Sequence, residues 1–319
     1  MANDTLVAIG EALIDFIPDK TGCEFYEVTS FAPRVGGAPA NVCAAFSRLG
    51  GESRMITQLG SDPFGEVIVR TLSSAGVDTS YISRTDKANT ALAFVSLAAD
   101  GNRTFSFYRK PSADMLLGAE DISPEMLKDA FALHFCSVSL GEFPMRGAHE
   151  RAVSLAGQCG AIISFDPNLR FPLWNDKAAL KAAVQHFIPM SDILKVSDEE
   201  LEFITGETDI ERALVQLFTG NVKLVIYTCG SDGAYAFTRG AKAFAPSQKV
   251  EAVDTTGAGD GFIGSFLWKL HSMGHTAESI DGLTADELAE LLSFSNRFCA
   301  KSVTAYGAID SYPTAEDMS

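Results

Sequence analysis

The chain has 319 residues, with 25 Lys plus Arg against 41 Asp plus Glu and a net charge of −16. That balance excludes a nucleic-acid-binding surface, which takes clustered Lys and Arg, and a surface that docks on anionic lipid. Hydrophobic residues at 46% and charged residues at 21% describe a folded protein long enough to bury a sizeable core, not a disordered chain.

The start, Met1-Ala2-Asn3-Asp4-Thr5, has no basic n-region and no apolar h-region. No apolar run approaches the ~18 residues of a membrane span, so a cytoplasmic protein is expected. Leu6 to Ile9 reads as a buried strand. Residues 23–34 read as strands without an intervening helix. Pro39 to Leu49 reads as a helix ended by Gly50-Gly51, and Pro63 to Ser74 as another ended by Gly76. Ala91 to Leu97 and Arg103 to Tyr108 pair across a hairpin turn at Asp100-Gly101-Asn102. A strand at Ala161 to Phe165, a helix near Lys177 to Phe187, and strands at Ile193 to Val196 and Val222 to Thr228 follow. Lys249 to Val253 is strand-like. Gly257 to Met273 and Ala285 to Val303 are long helical stretches.

Strands alternating with helices predict an α/β fold, with a mostly parallel sheet covered by helices on both faces. Residues 23–34 and 90–109 break the pattern and predict a small antiparallel accessory sheet inserted into it. No repeat, low-complexity segment or Pro- or Ser-rich linker cuts the chain, so a single domain over 1–319 is expected. Cys23, Cys43, Cys136, Cys159, Cys229 and Cys299 show no C-x-x-C spacing, and most have apolar neighbours. They read as buried free thiols of a reducing compartment.

The strongest chemical signal is the segment from Asp254 to Phe266, Asp-Thr-Thr-Gly-Ala-Gly-Asp-Gly-Phe-Ile-Gly-Ser-Phe. Small residues at a helix start let backbone N–H groups approach an anion, and the helix dipole adds partial positive charge there. Asp260 falls in the first turn. A carboxylate beside a phosphate is repulsive unless it has a task, such as taking the proton of an attacking hydroxyl. The alternative is that Asp260 only caps the helix. Gly259 to Gly264 also fits G-x-G-x-x-G, with Glu278 and Asp281 about twenty residues on. A dinucleotide fold needs a second strand ending at that acid, and here another helix follows. No Walker P-loop run exists.

Gly36-Gly37-Ala38-Pro39-Ala40-Asn41 feeds a helix with Pro39 near its first turn. It is either a tight turn with a cap or a place where backbone approaches a polar ligand. Asp166-Pro167-Asn168-Leu169-Arg170 ends a predicted strand, where open α/β sheets bind ligands. Asp166 and Asn168 are turn residues or ligands, and Arg170 is a surface charge or a ligand. Asp15 is half-buried and paired, or it binds ligand hydroxyls.

Together these segments resemble the ribokinase-like (PfkB) carbohydrate kinases over nearly the whole chain. Gly36 to Gly51 is similar to that family's N-terminal glycine motif and Asp254 to Gly264 to its C-terminal motif. Residues 36–41, 107–117 and 166–170 look most like the family's fructokinases. The resemblance implies a three-layer ribokinase-like sandwich with a small β lid inserted at about residues 12–34 and 88–110. It also implies transfer of the ATP γ-phosphoryl to the terminal hydroxyl of fructose. Other members act on 2-keto-3-deoxygluconate, ribose or aminoimidazole riboside, and an acidic sugar would suit Arg109. A sugar-binding regulator without turnover is the alternative of a different class.

The implied roles go residue by residue. Asp260 matches the base. Gly257, Ala258 and Gly259 match the anion hole, and Arg170 an arginine near the transferred phosphate. Asp15, Gly36, Gly37 and Asn41 match sugar contacts, with Arg109 reaching from the lid. Thr228, Gly230 and Gly233 match the turn beside ATP, and Asn296 a position near adenine. Glu200 matches the acid tied to Mg²⁺ through water. Ser197 stands where members often carry Asn, and Lys195 is placed to reach ATP phosphates. Asp254, Thr256, Ser302, Ala305, Gly307 and Ser311 would form an oxygen cage for K⁺. The apolar lid face, with Phe25, Phe31, Leu92 and Phe94, would pack against a second subunit as a homodimer.

Overall fold

A large sheet and a small one organise the chain, in a computed structural model that describes residues 3–20, 22–97, 103–174 and 176–319. Strands β1 (Thr5–Ile9), β2 (Leu13–Pro18) and β3 (Phe31–Gly36) lead into helix α1 (Ala38–Arg48), strand β4 (Glu52–Gly60) and helix α2 (Pro63–Ser74). Short strands β5 (Val77–Asp78) and β6 (Ile82–Thr85) precede β7 (Ala91–Leu97) and β8 (Arg103–Tyr108). Next come β9 (Ala130–Cys136), α3 (Pro144–Gln158), β10 (Ile162–Asp166), α4 (Lys177–Phe187) and β11 (Ile193–Ser197). Then α5 (Asp198–Thr205), α6 (Ile210–Leu217), β12 (Leu224–Thr228), β13 (Gly233–Phe237) and β14 (Lys242–Pro246) follow. Helices α7 (Ala258–Ser272), α8 (Ala285–Ser302) and the short α9 (Ala315–Met318) complete the chain.

The large sheet runs β14-β13-β12-β11-β10-β9-β1-β4-β5, with β6 also on β4. It is parallel except at one edge, where β13 pairs antiparallel with both β12 and β14. Strands β1, β9 and β10 are buried at every position, as expected of parallel strands covered on both faces. One face packs Leu133, Phe135, Phe165 and Phe187, with Phe135 stacked on Phe165 at 4.7 Å. The other packs Phe46, Leu224, Phe266 and Leu288 under α1, α7 and α8. Each such side chain contributes roughly 1.5–3 kcal/mol by leaving water. His134 is the polar exception within β9. Burial pushes its imidazole down to about 3, with Lys195 adding to the shift, so it stays neutral and bonds Ser164 Oγ at 3.0 Å.

The small sheet runs β3-β2-β7-β8. Its two outer pairs are antiparallel, as expected, but the central β2–β7 seam is parallel. Both of those strands start after the chain leaves the carboxyl ends of parallel strands, so they run outward together. In register, Phe16 sits opposite Phe94 and Pro33, and Asp15 opposite Ala93 and Arg34. Strand alternation therefore puts Phe16, Phe31, Leu92 and Phe94 on one face and Asp15 and Arg34 on the other.

Two expected strands are absent. Residues 23–30 hold a 3₁₀ turn at Phe25–Glu27, closed by Glu24 N–H donating to Glu27 Oε2 at 2.9 Å. Residues 249–253 are irregular because they meet the end of α8 rather than a strand edge. There Val253 N–H and Asp254 N–H donate to Val303 O at 2.8 and 3.2 Å. The Asp100-Gly101-Asn102 turn lies outside the described residues. All six cysteines are free; Cys43 and Cys136 are buried and the other four half-buried. Among the described residues no helix is long and apolar enough to cross a membrane.

Candidate functional site

Three segments converge at the carboxyl ends of the parallel strands: the start of α1, the loop after β10 and the start of α7. Gly257, Gly259, Asp260, Asp166, Arg170 and Thr228 line a cavity of about 310 Å³ there, with Lys195, Ser197 and Glu200. Gly257 is left-handed at φ 72°. A Cβ on it would lie 2.4 Å from Ala308 Cβ and 2.7 Å from Tyr312 Oη, so only glycine fits. Its carbonyl accepts Gly261 N–H at 2.7 Å and the Tyr312 hydroxyl at 2.8 Å. Ala258 N–H already donates to Thr255 O at 3.2 Å. Gly259 faces Lys195, whose Nζ would be 3.6 Å from a Cβ at that position.

Asp260 is buried, and two amides hold its carboxylate. Asn41 Nδ2 donates to Oδ2 at 2.9 Å, and Asn168 Nδ2 to Oδ1 at 3.2 Å. A helix cap would instead take backbone N–H groups of its own first turn. Burial raises the Asp260 pKa; the Asn41 bond and Arg170 oppose that, and Asp166 adds to it. Asn168 reaches this position with φ 43°, as Asp166 Oδ1 accepts its N–H at 3.2 Å. Asp166 and Asn168 are thus both turn residues and site residues.

Lys195 Nζ donates to Asp166 Oδ2 at 2.6 Å, and both side chains are buried. Burial opposes the Lys195 charge, but Asp166 and Glu200 outweigh it and hold the pKa above the ordinary lysine value. The lysine lines the cavity as an ammonium that already has a counter-ion. Ser197 is the N-cap of α5. Glu200 Oε1 accepts Leu169 N–H at 2.7 Å and Oε2 accepts Ser197 N–H at 2.9 Å. With both oxygens so engaged, Glu200 fits a metal's water better than the metal itself.

The other expected residues divide. Asp15 and Gly36 line a neighbouring cavity of about 340 Å³ with Arg34, Asp254, Thr256 and Gly307. Gly37 has φ 106°, and a Cβ there would lie 2.5 Å from Glu11 O. Gly230 and Gly233, at φ 51° and 123°, shape the turn after β12. Asn296 is buried and donates to Ala245 O at 2.8 Å and Pro246 O at 3.3 Å, fastening β14 to α8; it lines neither cavity.

The 302–311 segment wraps Asp254. Thr256 N–H and Oγ1 donate to Asp254 Oδ1 at 2.9 and 2.7 Å, and Gly307 N–H donates to Oδ2 at 3.0 Å. Ser302 Oγ meets Ser311 Oγ at 2.8 Å, and Ser302 O accepts Ala305 N–H at 3.2 Å. One carboxylate among hydroxyls and carbonyls is a donor set for a hard, weakly charged cation. Among the described residues no cluster of three or more His, Cys, Asp or Glu forms a metal site.

Arg109 lines neither cavity, contrary to the expectation that it reaches substrate. It is buried, with Nε donating to Asp114 Oδ2 at 3.1 Å and Nη2 to the same oxygen. Nη1 donates to Val138 O and Nη2 to Ser139 Oγ, both at 3.2 Å. Sequence reading missed Glu11, which joins this cluster. Ser139 Oγ donates to Glu11 Oε2 and Ala38 N–H to Oε1, both at 3.2 Å. Burial pushes the Glu11 carboxyl up to about 7 against the pull of Arg109. The available signal was an acid directly after an apolar strand, at the chain's first crossing between sheets.

A helix N-terminus that can receive an anion, facing a buried carboxylate that can take a proton, equips an enzyme to move a phosphoryl group onto a hydroxyl. Comparison with known proteins narrows that class. The chain matches the pfkB family of carbohydrate kinases over residues 3–315, and it belongs to that family. It is 41% identical to probable fructokinase-5 of Arabidopsis thaliana over 319 residues, covering 99% of this chain and 97% of that one. The Xylella fastidiosa fructokinase structure with bound ATP superposes with a TM-score of 0.92 at 32% identity, covering 100% and 97% of the two chains. The Vibrio cholerae O395 fructokinase with fructose, ADP and calcium bound has a TM-score of 0.86 at 31% identity, covering 99% and 97%.

Proposed function

We propose that this chain is an ATP-dependent fructokinase that phosphorylates the terminal hydroxyl of fructose. The observation that carries the chemistry is Asp260, buried at the start of α7 and held between Asn41 and Asn168. The sugar hydroxyl gives its proton to Asp260, and its oxygen bonds to the γ-phosphorus as the bond to the bridging oxygen of ADP breaks. The first turn of α7, from Gly257 through Gly259, receives the phosphoryl oxygens. Arg170 offers them its planar fork. Catalysis of this kind is positioning plus electrostatics. Glu200 would hold Mg²⁺ through water, and the ion would supply charge neutralisation to the phosphates. Thr228 and the turn at Gly230 and Gly233 flank the nucleotide, with Lys195 and Ser197 at its phosphate end. Asn296 acts on the adenine pocket by holding β14. K⁺ suits the oxygen set around Asp254.

Arg109 decides between sugars. Its guanidinium is bonded to Asp114 and buried with Glu11 nearby, so it offers no cation to an acidic sugar. A neutral sugar such as fructose fits that arrangement, with Asp15, Gly36, Gly37 and Asn41 binding its hydroxyls. The small sheet serves as a lid of the one domain and excludes water. Its aromatic face, opposite Asp15, pairs two copies as a homodimer. Six free thiols suit a reducing compartment such as the cytoplasm. A panel of fructose, ribose and 2-keto-3-deoxygluconate with ATP tests the substrate. A higher kcat/KM for the acid than for fructose overturns this assignment.

A further inference from the structure

The chain crosses between the two sheets four times: after β1, after β3, after β6 and after β8. Groups from the first, second and fourth crossings meet in one buried place, and the third joins beside it through an exposed residue. Glu11 lies on the first and Ala38 directly follows the second. Asn89, on the third, accepts Ala113 N–H at 2.8 Å. Arg109, Ser112 and Asp114 belong to the fourth. Ser112 Oγ donates to Asp114 Oδ1, and Arg109 reaches Ser139 at the end of β9. Ser139 Oγ takes a bond from Arg109 and gives one to Glu11, so it bridges the two. Glu11, Arg109, Ser112, Asp114 and Ser139 are each at most 7% exposed. A buried polar group left without its partner costs about 1–3 kcal/mol, so this cluster is held as a unit.

It reaches toward the site through Ala38 N–H, the first donor of α1, which Glu11 Oε1 accepts. Three residues on, Asn41 sits in the same turn and holds Asp260 Oδ2. Gly36 and Gly37, just before Ala38, have no side chains of their own to fasten; packing of Ala38 to Phe46 holds the body of α1, and Glu11 adds the polar fastening at its first donor. We propose that Glu11 is a positioning residue, fastening the root of the small sheet to the first turn of α1 and thereby setting where Asn41 holds Asp260. This rests on the reading of Asp260 as the base. Glu11 touches no reacting atom; it acts through α1.

The test compares wild type, Glu11→Ala and Glu11→Gln in steady-state kinetics and in amide exchange of residues 36–46. Glu11→Ala leaves Ala38 N–H and Ser139 Oγ without their acceptor. Its kcat falls on the order of 10²-fold, the scale of a misplaced catalytic group, while KM for ATP stays within about twofold. Exchange speeds up at residues 36–42 and not across the chain. Glu11→Gln keeps an acceptor for Ala38 N–H and restores most of the kcat and the protection. A folded Glu11→Ala with wild-type kcat overturns the proposal, as does equal impairment of both variants or faster exchange everywhere. If Glu11→Ala does not fold, Glu11→Asp shortens the side chain and withdraws the acceptor from Ala38 N–H; wild-type kcat and unchanged exchange at 36–42 there overturn the proposal equally. Asp260→Asn is assayed alongside. Undiminished turnover in it refutes the base, while exchange at 36–42 still decides whether Glu11 fastens α1.

Discussion

Replacing Glu11 by Gln changes how stability depends on pH, and burial sets the size of the change. Glu11 is 3% exposed, and desolvation raises its carboxyl from the ordinary 4.5 to about 7, with Arg109 pulling it back. The unfolded chain releases this proton near 4.5, whereas the folded chain keeps it to about 7. Between those values the folded state binds more protons, so stability falls as pH rises through the window and levels off above it. A shift of that size corresponds to about 3 kcal/mol. Gln has no proton to lose. The unfolding free energy of Glu11→Gln, relative to wild type, therefore rises by about 3 kcal/mol from below the window to above it. Urea unfolding at half-unit steps from pH 4.5 to 8, with slopes compared, measures this difference directly. Parallel curves for the two proteins refute the burial argument. A difference of opposite sign shows that Arg109 outweighs desolvation.

Asp260→Asn keeps the size and an acceptor for one of the two amides but removes the base, so kcat falls by about 10²–10⁴-fold. Calorimetry should find fructose and ATP affinities within a few-fold of wild type. Because burial raises the Asp260 pKa, wild-type kcat should rise with pH through a range above that of an ordinary carboxylic acid. Activity should increase when K⁺ replaces Na⁺; an indifferent rate rules out the 302–311 loop as a functional cation site. Sedimentation should give twice the 34.1 kDa chain mass. Phe94→Glu, in the middle of the aromatic face, should return the protein to monomer while leaving β2–β7 pairing intact. A monomeric wild type refutes pairing through the lid.

Local signals marked most of the elements. Pro63 at the start of α2, Asp62 capping it through Gly65 N–H at 2.9 Å, and left-handed Gly76 after it bound one helix by sequence alone. The continuous apolar runs of β1 and β10 announce a sheet buried on both faces. The convergence at Asp260 was also legible, because each contributor sits in a short glycine- or proline-marked segment. What depends on distant partners was not. Residues 249–253 have strand composition but no strand edge to pair with. Arg109 looks like a free arginine in a polar stretch. Its burial depends on Val138, Ser139 and Glu11, about thirty and one hundred residues away, as well as on nearby Asp114. The parallel β2–β7 seam depends on where two separate chain crossings leave the large sheet, which no local pattern encodes.

A net charge of −16 and a polyphosphate cosubstrate can be reconciled only within the site. The cavity at α7 is lined by four carboxylates, Asp166, Glu199, Glu200 and Asp260, against two cations, Lys195 and Arg170. Lys195 is not a spare charge, since Asp166 holds it at 2.6 Å. That pairing keeps a buried lysine protonated where burial alone would favour the neutral amine. Arg170 is exposed and Nη1 donates to Leu169 O at 3.3 Å, which leaves most of its five donors for an incoming phosphate. The α7 N-terminus adds roughly half a positive charge. These terms do not balance four carboxylates and a triphosphate. On the proposed reading the nucleotide must therefore arrive with its own divalent cation. Glu200, both of whose oxygens already accept backbone N–H groups, would meet that cation through water. Lys195→Met should then weaken the site chiefly by leaving Asp166 unpaired beside Asp260. Arg170→Ala should weaken it by removing a cation free to follow the transferring phosphate.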